Sequence, residues 1–134
     1  MEFKIRCTPP SKDNQFYYSK LNWEYPKFVD ECTWCAWGRL EELGIPIPDL
    51  NKHLPKSNAE NWYTDTKYEK RSYPTTGDVL CYSAGTIHHK DDGMGHVAIV
   101  ERVNDDLSIF ISESGHNMKF KTRILKPPYK FYLN

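Results

Sequence analysis

The stretch His96-Val97-Ala98-Ile99-Val100-Glu101-Arg102-Val103-Asn104-Asp105-Asp106-Leu107-Ser108-Ile109-Phe110-Ile111-Ser112-Glu113 decides how this chain folds. Two β-branched, apolar runs flank an Asn-Asp-Asp cluster, which is the pattern of an antiparallel hairpin. A four-residue loop over 103–106 sets Arg102 opposite Leu107, Val100 opposite Ile109, Ala98 opposite Ile111 and His96 opposite Glu113. That register gathers Ala98, Val100, Ile109 and Ile111 on one face, which ends in a His–Glu pair. A three-residue loop breaks the pairing, and Ile99 and Phe110 leave the opposite face apolar as well. A carboxylate beside a His fixes its tautomer and stabilises its imidazolium, as a general base requires.

Downstream and upstream of the hairpin, further alternating runs at Asp78–Ser83, Met118–Leu125 and Tyr129–Leu133 extend it into an antiparallel meander. The N-terminal half reads differently. Met1–Cys7 alternates as a half-buried strand, and residues 8–25 are polar, aromatic and irregular. Thr33, Ala36, Trp37, Leu40 and Leu43 recur at helical spacing, so a helix spans roughly Glu31–Leu43, with Asp30 as N-cap and Gly44 followed by Pro46 as its stop. Pro46 and Pro48 then read as a connector, and Ser57-Asn58-Ala59-Glu60 as a capping box opening a short helix that carries Trp62 and Tyr63. The fold class is α+β, with N-terminal helices packed on an antiparallel sheet.

Cys32 falls in the first turn of the predicted helix. Free N–H groups and the positive end of the helix dipole favour an anion there, lowering a thiol's pKa when a cationic His is near, and the same groups can receive an oxyanion. A Cys at a helix start and a His at a strand end are each more often structural. Together with Glu113 they supply a nucleophile, a base and an orienting acid. A thiolate–imidazolium pair of this kind gives a bell-shaped pH profile.

Competing chemistries are weaker. Cys32-Thr33-Trp34-Cys35 is a Cys-x-x-Cys, but irregular sequence precedes it where a redox site wants a strand. Zinc needs a second tight ligand pair, and only adjacent His88-His89 offers one; Asp91-Asp92-Gly93 lacks the alternating oxygen ligands of a calcium loop. The expectation is no metal and no cofactor, with Cys7, Cys35 and Cys81 as core residues. With 134 residues the chain reads as one domain over 1–134, and 18 basic against 18 acidic residues give no electrostatic case for nucleic acid. No apolar run reaches membrane-spanning length, and Met1-Glu2-Phe3-Lys4 lacks a signal-peptide layout, so the expectation is a monomer made in the cytoplasm without membrane insertion.

The order Cys32-Thr33-Trp34-Cys35-Ala36-Trp37-Gly38-Arg39, Asn58-Ala59-Glu60-Asn61-Trp62-Tyr63, Gly77-Asp78-Val79-Leu80, Gly95-His96-Val97-Ala98-Ile99-Val100-Glu101 and Ser112-Glu113-Ser114 resembles the cysteine, histidine-dependent amidohydrolases/peptidases, the CHAP family. The resemblance covers about 28–129 and is strongest to the catalytic domains of phage endolysins. It implies a papain-like fold and cleavage of an amide or peptide bond in bacterial peptidoglycan on the cell wall, after production in the cytoplasm of an infected host. It makes Cys32 the nucleophile, His96 the base and Glu113 the orienting acid. Asn117, His116 and Trp34 are candidates for substrate contact or a fourth catalytic position, because Gly115 stands where many members carry Asn. Asp30-Glu31 likewise replaces their Gly-Gln. The alternatives are a non-catalytic wall-binding module and a cysteine peptidase or deamidase acting on protein.

Overall fold

The structure is a computed structural model and describes residues 4–57, 59–71, 73–82, 96–115, 118–125 and 131–133. Three helices, α1 (Cys32–Glu42), α2 (Ile47–His53) and α3 (Glu60–Asp65), precede most of the sheet. The strands are β1 (Lys70–Arg71), β2 (Val79–Tyr82), β3 (His96–Val103), β4 (Ile109–Gly115), β5 (Met118–Leu125) and β6 (Phe131–Leu133). They form one antiparallel sheet in the order β1-β6-β2-β3-β4-β5. The α+β, papain-like class read from the sequence is the observed one. The meander is confined to β2–β5, because β6 returns to lie between β1 and β2 instead of extending the far edge.

Helix α1 is buried from Cys32 to Glu41. One side packs Ala36, Trp37 and Leu40 against Val79, Cys81, Val97 and Ile99 of the sheet, joined by Leu50 of α2, by Leu54 just after it and by Trp62 of α3. The other side is covered by residues 14–30. Trp34 Nε1 donates to Tyr17 O at 2.6 Å, and Asn22 Nδ2 donates to Trp34 O at 3.0 Å. Gly38 permits this cover, since a Cβ there would stand 2.5 Å from Tyr17 Cδ2. The opposite sheet face collects Leu80, Ala98, Val100, Ile109 and Ile111, the face expected from the hairpin.

Five local expectations are corrected. Cys7, expected in the core, is exposed. Residues 4–7 form no strand: Arg6 N donates to Glu101 Oε1 and Arg39 Nη2 to Lys4 O, so side chains take up backbone groups that a ladder would have used. Pro46 and Pro48 open α2, where Pro46 is the N-cap and the missing proline N–H groups fall in a turn that has no intrahelical use for them. The N-cap of α3 is Ala59, with no side-chain cap bond, although the helix itself forms and Trp62 is fully buried in it. Asp30 does not cap α1; it adopts a positive φ of 72°, a conformation Asp tolerates better than most residues, and Glu31 is the N-cap without a side-chain bond. The far end of α1 follows expectation. Gly44 takes φ 101°, its N–H reaches Glu41 O at 2.9 Å, and Ile45 N reaches Leu40 O at 3.1 Å, a Schellman cap sealed by packing between Ile45 and Leu40.

Candidate active site

Cys32 is the first residue of α1 and is 8% exposed. His96 opens β3 and Glu113 lies near the end of β4, both with fully buried side chains, and His96 Nε2 stands 2.7 Å from Glu113 Oε1. The register that brings them together differs from the expected one. Ile99 pairs with Ser112 and Val100 with Ile111, a slip of two residues, and a bulge at Glu101 shifts the pairing once more before Val103 meets Ile109. A two-residue slip keeps every side chain on its face. Glu113 therefore reaches His96 as a diagonal neighbour instead of a directly opposed one.

The end of β4 ties this pair to Cys32. Ser114 Oγ donates to Glu31 O at 2.9 Å. Gly115 lies against Cys32 so closely that a Cβ would stand 2.7 Å from Cys32 N, and its φ of 107° is one that side chains rarely adopt. Side-chain space at position 115 is therefore absent, which explains glycine there. His116 and Asn117 lie outside the described residues, as do Asn58, His88-His89 and Asp91-Asp92-Gly93. Trp34 is packed inward, 1% exposed and edge-on to Tyr17 and Tyr18.

Electrostatics divide the site. Burial pushes the Cys32 thiol up to about 12; the Val97 and Thr33 N–H groups oppose that rise, while Glu24 and Glu31 add to it. Desolvation thus opposes the lowered thiol pKa expected from the helix start and favours the neutral thiol. Burial acts upward on Glu113 too, but the hydrogen bonds from His96 and Arg123 outweigh it and hold the carboxyl at about 2. An ionised carboxylate only accepts, so His96 donates through Nε2–H and neutral imidazole keeps Nδ1 as its basic atom. Glu24 shows the opposite balance. Burial raises it to about 7, with Thr33 Oγ1, 2.6 Å from both its oxygens, lowering it only in part.

Sequence reasoning missed three buried charge arrangements around α1 and the strand ends. Arg123 of β5 donates through Nε to Glu113 Oε2 and through Nη2 to Oε1 at 3.2 Å. Its signal was weak, since it is one cation in the mixed strand Met118–Leu125. Glu24 lay in a stretch without periodicity. The buried pair of Arg39 with Glu101, 2.8 Å from both Nε and Nη2, was hidden because Glu101 interrupts an apolar strand only through the bulge. Among the described residues no group of three or more His, Cys, Asp and Glu is arranged to hold a metal ion.

The comparisons with known proteins converge on one family. The profile of the CHAP domain matches residues 20–115. This chain belongs to the CHAP domain family. Within that family the domain is 37% identical over 119 residues to an N-acetylmuramoyl-L-alanine amidase domain-containing protein of Staphylococcus aureus, covering 84% of this chain and 18% of that protein. It is 31% identical over 121 residues to the N-acetylmuramoyl-L-alanine amidase sle1 of Staphylococcus haemolyticus, covering 82% and 34%. A crystal structure of an N-acetylmuramoyl-L-alanine amidase from Staphylococcus aureus superposes with a TM-score of 0.56 at 30% identity, over 72% of this chain and 27% of that one. The CHAP domain here thus spans about a third or less of the relatives it matches.

Proposed function

We propose that this CHAP domain hydrolyses an amide or peptide bond of bacterial peptidoglycan, with Cys32 as nucleophile, His96 as general base and Glu113 as the acid that orients it. The observation that carries the reading is the buried 2.7 Å contact of His96 Nε2 with Glu113 Oε1, at the strand ends packed against the start of α1. The similar proteins named as N-acetylmuramoyl-L-alanine amidases support wall as the substrate class.

The chemistry follows from the resting state. Burial favours the thiol, so His96 Nδ1 takes the Cys32 proton as sulfur attacks the carbonyl carbon, and the charge on the resulting imidazolium is balanced by Glu113. Backbone N–H groups at the start of α1 receive the oxyanion. The imidazolium protonates the departing amine, an acyl-enzyme remains on Cys32, and water activated by His96 releases the acid. Activity then requires neutral imidazole, so kcat/KM rises through the His96 titration to a plateau, replacing the bell expected of an ion pair.

Turbidity loss of Gram-positive cell walls tests the assignment. Wild type clears the suspension, and Cys32→Ala leaves it turbid while retaining its fold by circular dichroism. Equal clearing by both proteins removes Cys32 from the chemistry. Wall binding without any release of amines, by wild type as well, identifies a binding module instead.

A further inference from the structure

The Glu113 carboxylate has two claimants. On β3, His96 Nε2 takes Oε1 at 2.7 Å; on β5, Arg123 takes Oε2 through Nε and also reaches Oε1 through Nη2 at 3.2 Å. Register explains why Arg123 can do this. Arg123 pairs with Ile111 and Lys121 with Glu113, so Arg123 is the diagonal neighbour of Glu113 on the same face. The Arg123 side chain is 24% exposed, whereas that of Glu113 is fully buried. A planar guanidinium binding both oxygens fixes the carboxylate plane, which a point charge does not.

We infer that Arg123 is a positioning residue of the reaction, clamping Glu113 so that Oε1 presents to His96 Nε2 and sharing the carboxylate's charge. The inference rests on the proposed roles of Cys32, His96 and Glu113. Two effects act in the same direction. An unshared carboxylate would stabilise imidazolium more, and a nearby guanidinium repels the imidazolium directly. A protonated thiol needs an unprotonated base, so both effects favour turnover near neutral pH.

Several other charged or titratable groups surround the pair. From α1 and the segment before it come Cys32, Cys35, Glu24 and Glu31; from β5 comes the exposed Lys121. None of them offers Glu113 a second fork. Cys35 is buried and faces Ser114, and Lys121 carries a single ammonium.

The test compares Arg123→Lys and Arg123→Met with wild type in two measurements. One is the His96 imidazole titration followed by NMR, and the other is the pH dependence of wall hydrolysis. Arg123→Met is expected to move the imidazole titration and the acid limb of kcat/KM upward together, by on the order of one pH unit, and to lower kcat roughly tenfold. Arg123→Lys keeps the charge without the fork, so the limb stays near its wild-type position while kcat still falls. An imidazole titration unmoved in Arg123→Met, or activity losses in both variants that merely track the folded fraction, overturns the inference. The NMR arm needs no turnover, so a wild type whose hydrolysis is independent of Cys32 sinks the catalytic reading separately.

Discussion

The two ends of α1 are built on opposite principles. At its C-terminal end most charges have partners, Glu41 excepted: Arg39 forks onto Glu101 and bonds Glu42 at 2.9 Å, Arg6 binds Glu42, and Gly44 closes the backbone in a Schellman cap. Burial works upward on the Glu42 carboxyl, yet its bonds from Arg6 and Asn14 hold it at about 2. At the N-terminal end the cap has no side-chain bond, Asp30 sits at positive φ, Glu24 is raised to about 7 and the Cys32 thiol to about 12. One end anchors the helix to the sheet; the other holds reactive groups in an environment that does not settle them. Local conflict is densest where chemistry is proposed, with the buried Glu41 as the exception at the anchored end.

Breaking the anchored end should cost the most stability. Glu101→Gln removes the fork that binds buried Arg39 and leaves it only Glu42 as counter-charge, and the expected loss is about 3–5 kcal/mol, read by urea denaturation. A change smaller than that of a typical surface substitution would show that the pair does not anchor the helix. Gly115→Ala disturbs the reactive end instead. Its Cβ meets Cys32 N at 2.7 Å and its φ is unfavourable, so stability should fall by about 1–3 kcal/mol while wall hydrolysis falls further than the folded fraction does. Equal losses in the two measurements would detach position 115 from the site.

The smallest effect is electrostatic and separates the ends by pH. Glu24 is raised to about 7, so its contribution is fully present below the unfolded carboxylate pKa of ~4.3 and is lost as pH rises through 7. Glu41, buried beside Trp37, is raised to about 7 by its burial and acts in the same sense. Glu42 and Glu113, held at about 2, contribute above ~4.3 and lose that contribution as pH falls toward 2. The melting temperature should therefore peak at about pH 4.3, where the unfolded carboxylates titrate. Glu24→Gln should flatten the decline between pH 5 and 8 and leave the acid arm unchanged, as followed by calorimetry; an unaltered alkaline decline would remove Glu24 from this role.

Much of this architecture was legible in the sequence because periodicity and punctuation carried it. The run from Thr33 to Leu40, the stop at Gly44 and the alternating strands around Asn104 each express one dominant local signal. Even the wrong register kept the correct faces, since the slip was even. What was illegible depends on contacts distant in sequence. The cover of α1 by Tyr17 and Asn22, the pairing of Arg39 with Glu101, and the clamp of Arg123 on Glu113 join residues on separate elements without a periodic trace. The thiol's ionisation was misjudged for the same reason. A helix start is visible locally, whereas the burial of Cys32 and the charge of Glu24 beside it are not.

The most direct measurement is mass spectrometry of purified peptidoglycan digested by the wild-type chain and by Cys32→Ala. The account predicts new paired amine and carboxyl ends at one bond type with the wild type alone. The same products from Cys32→Ala would contradict it.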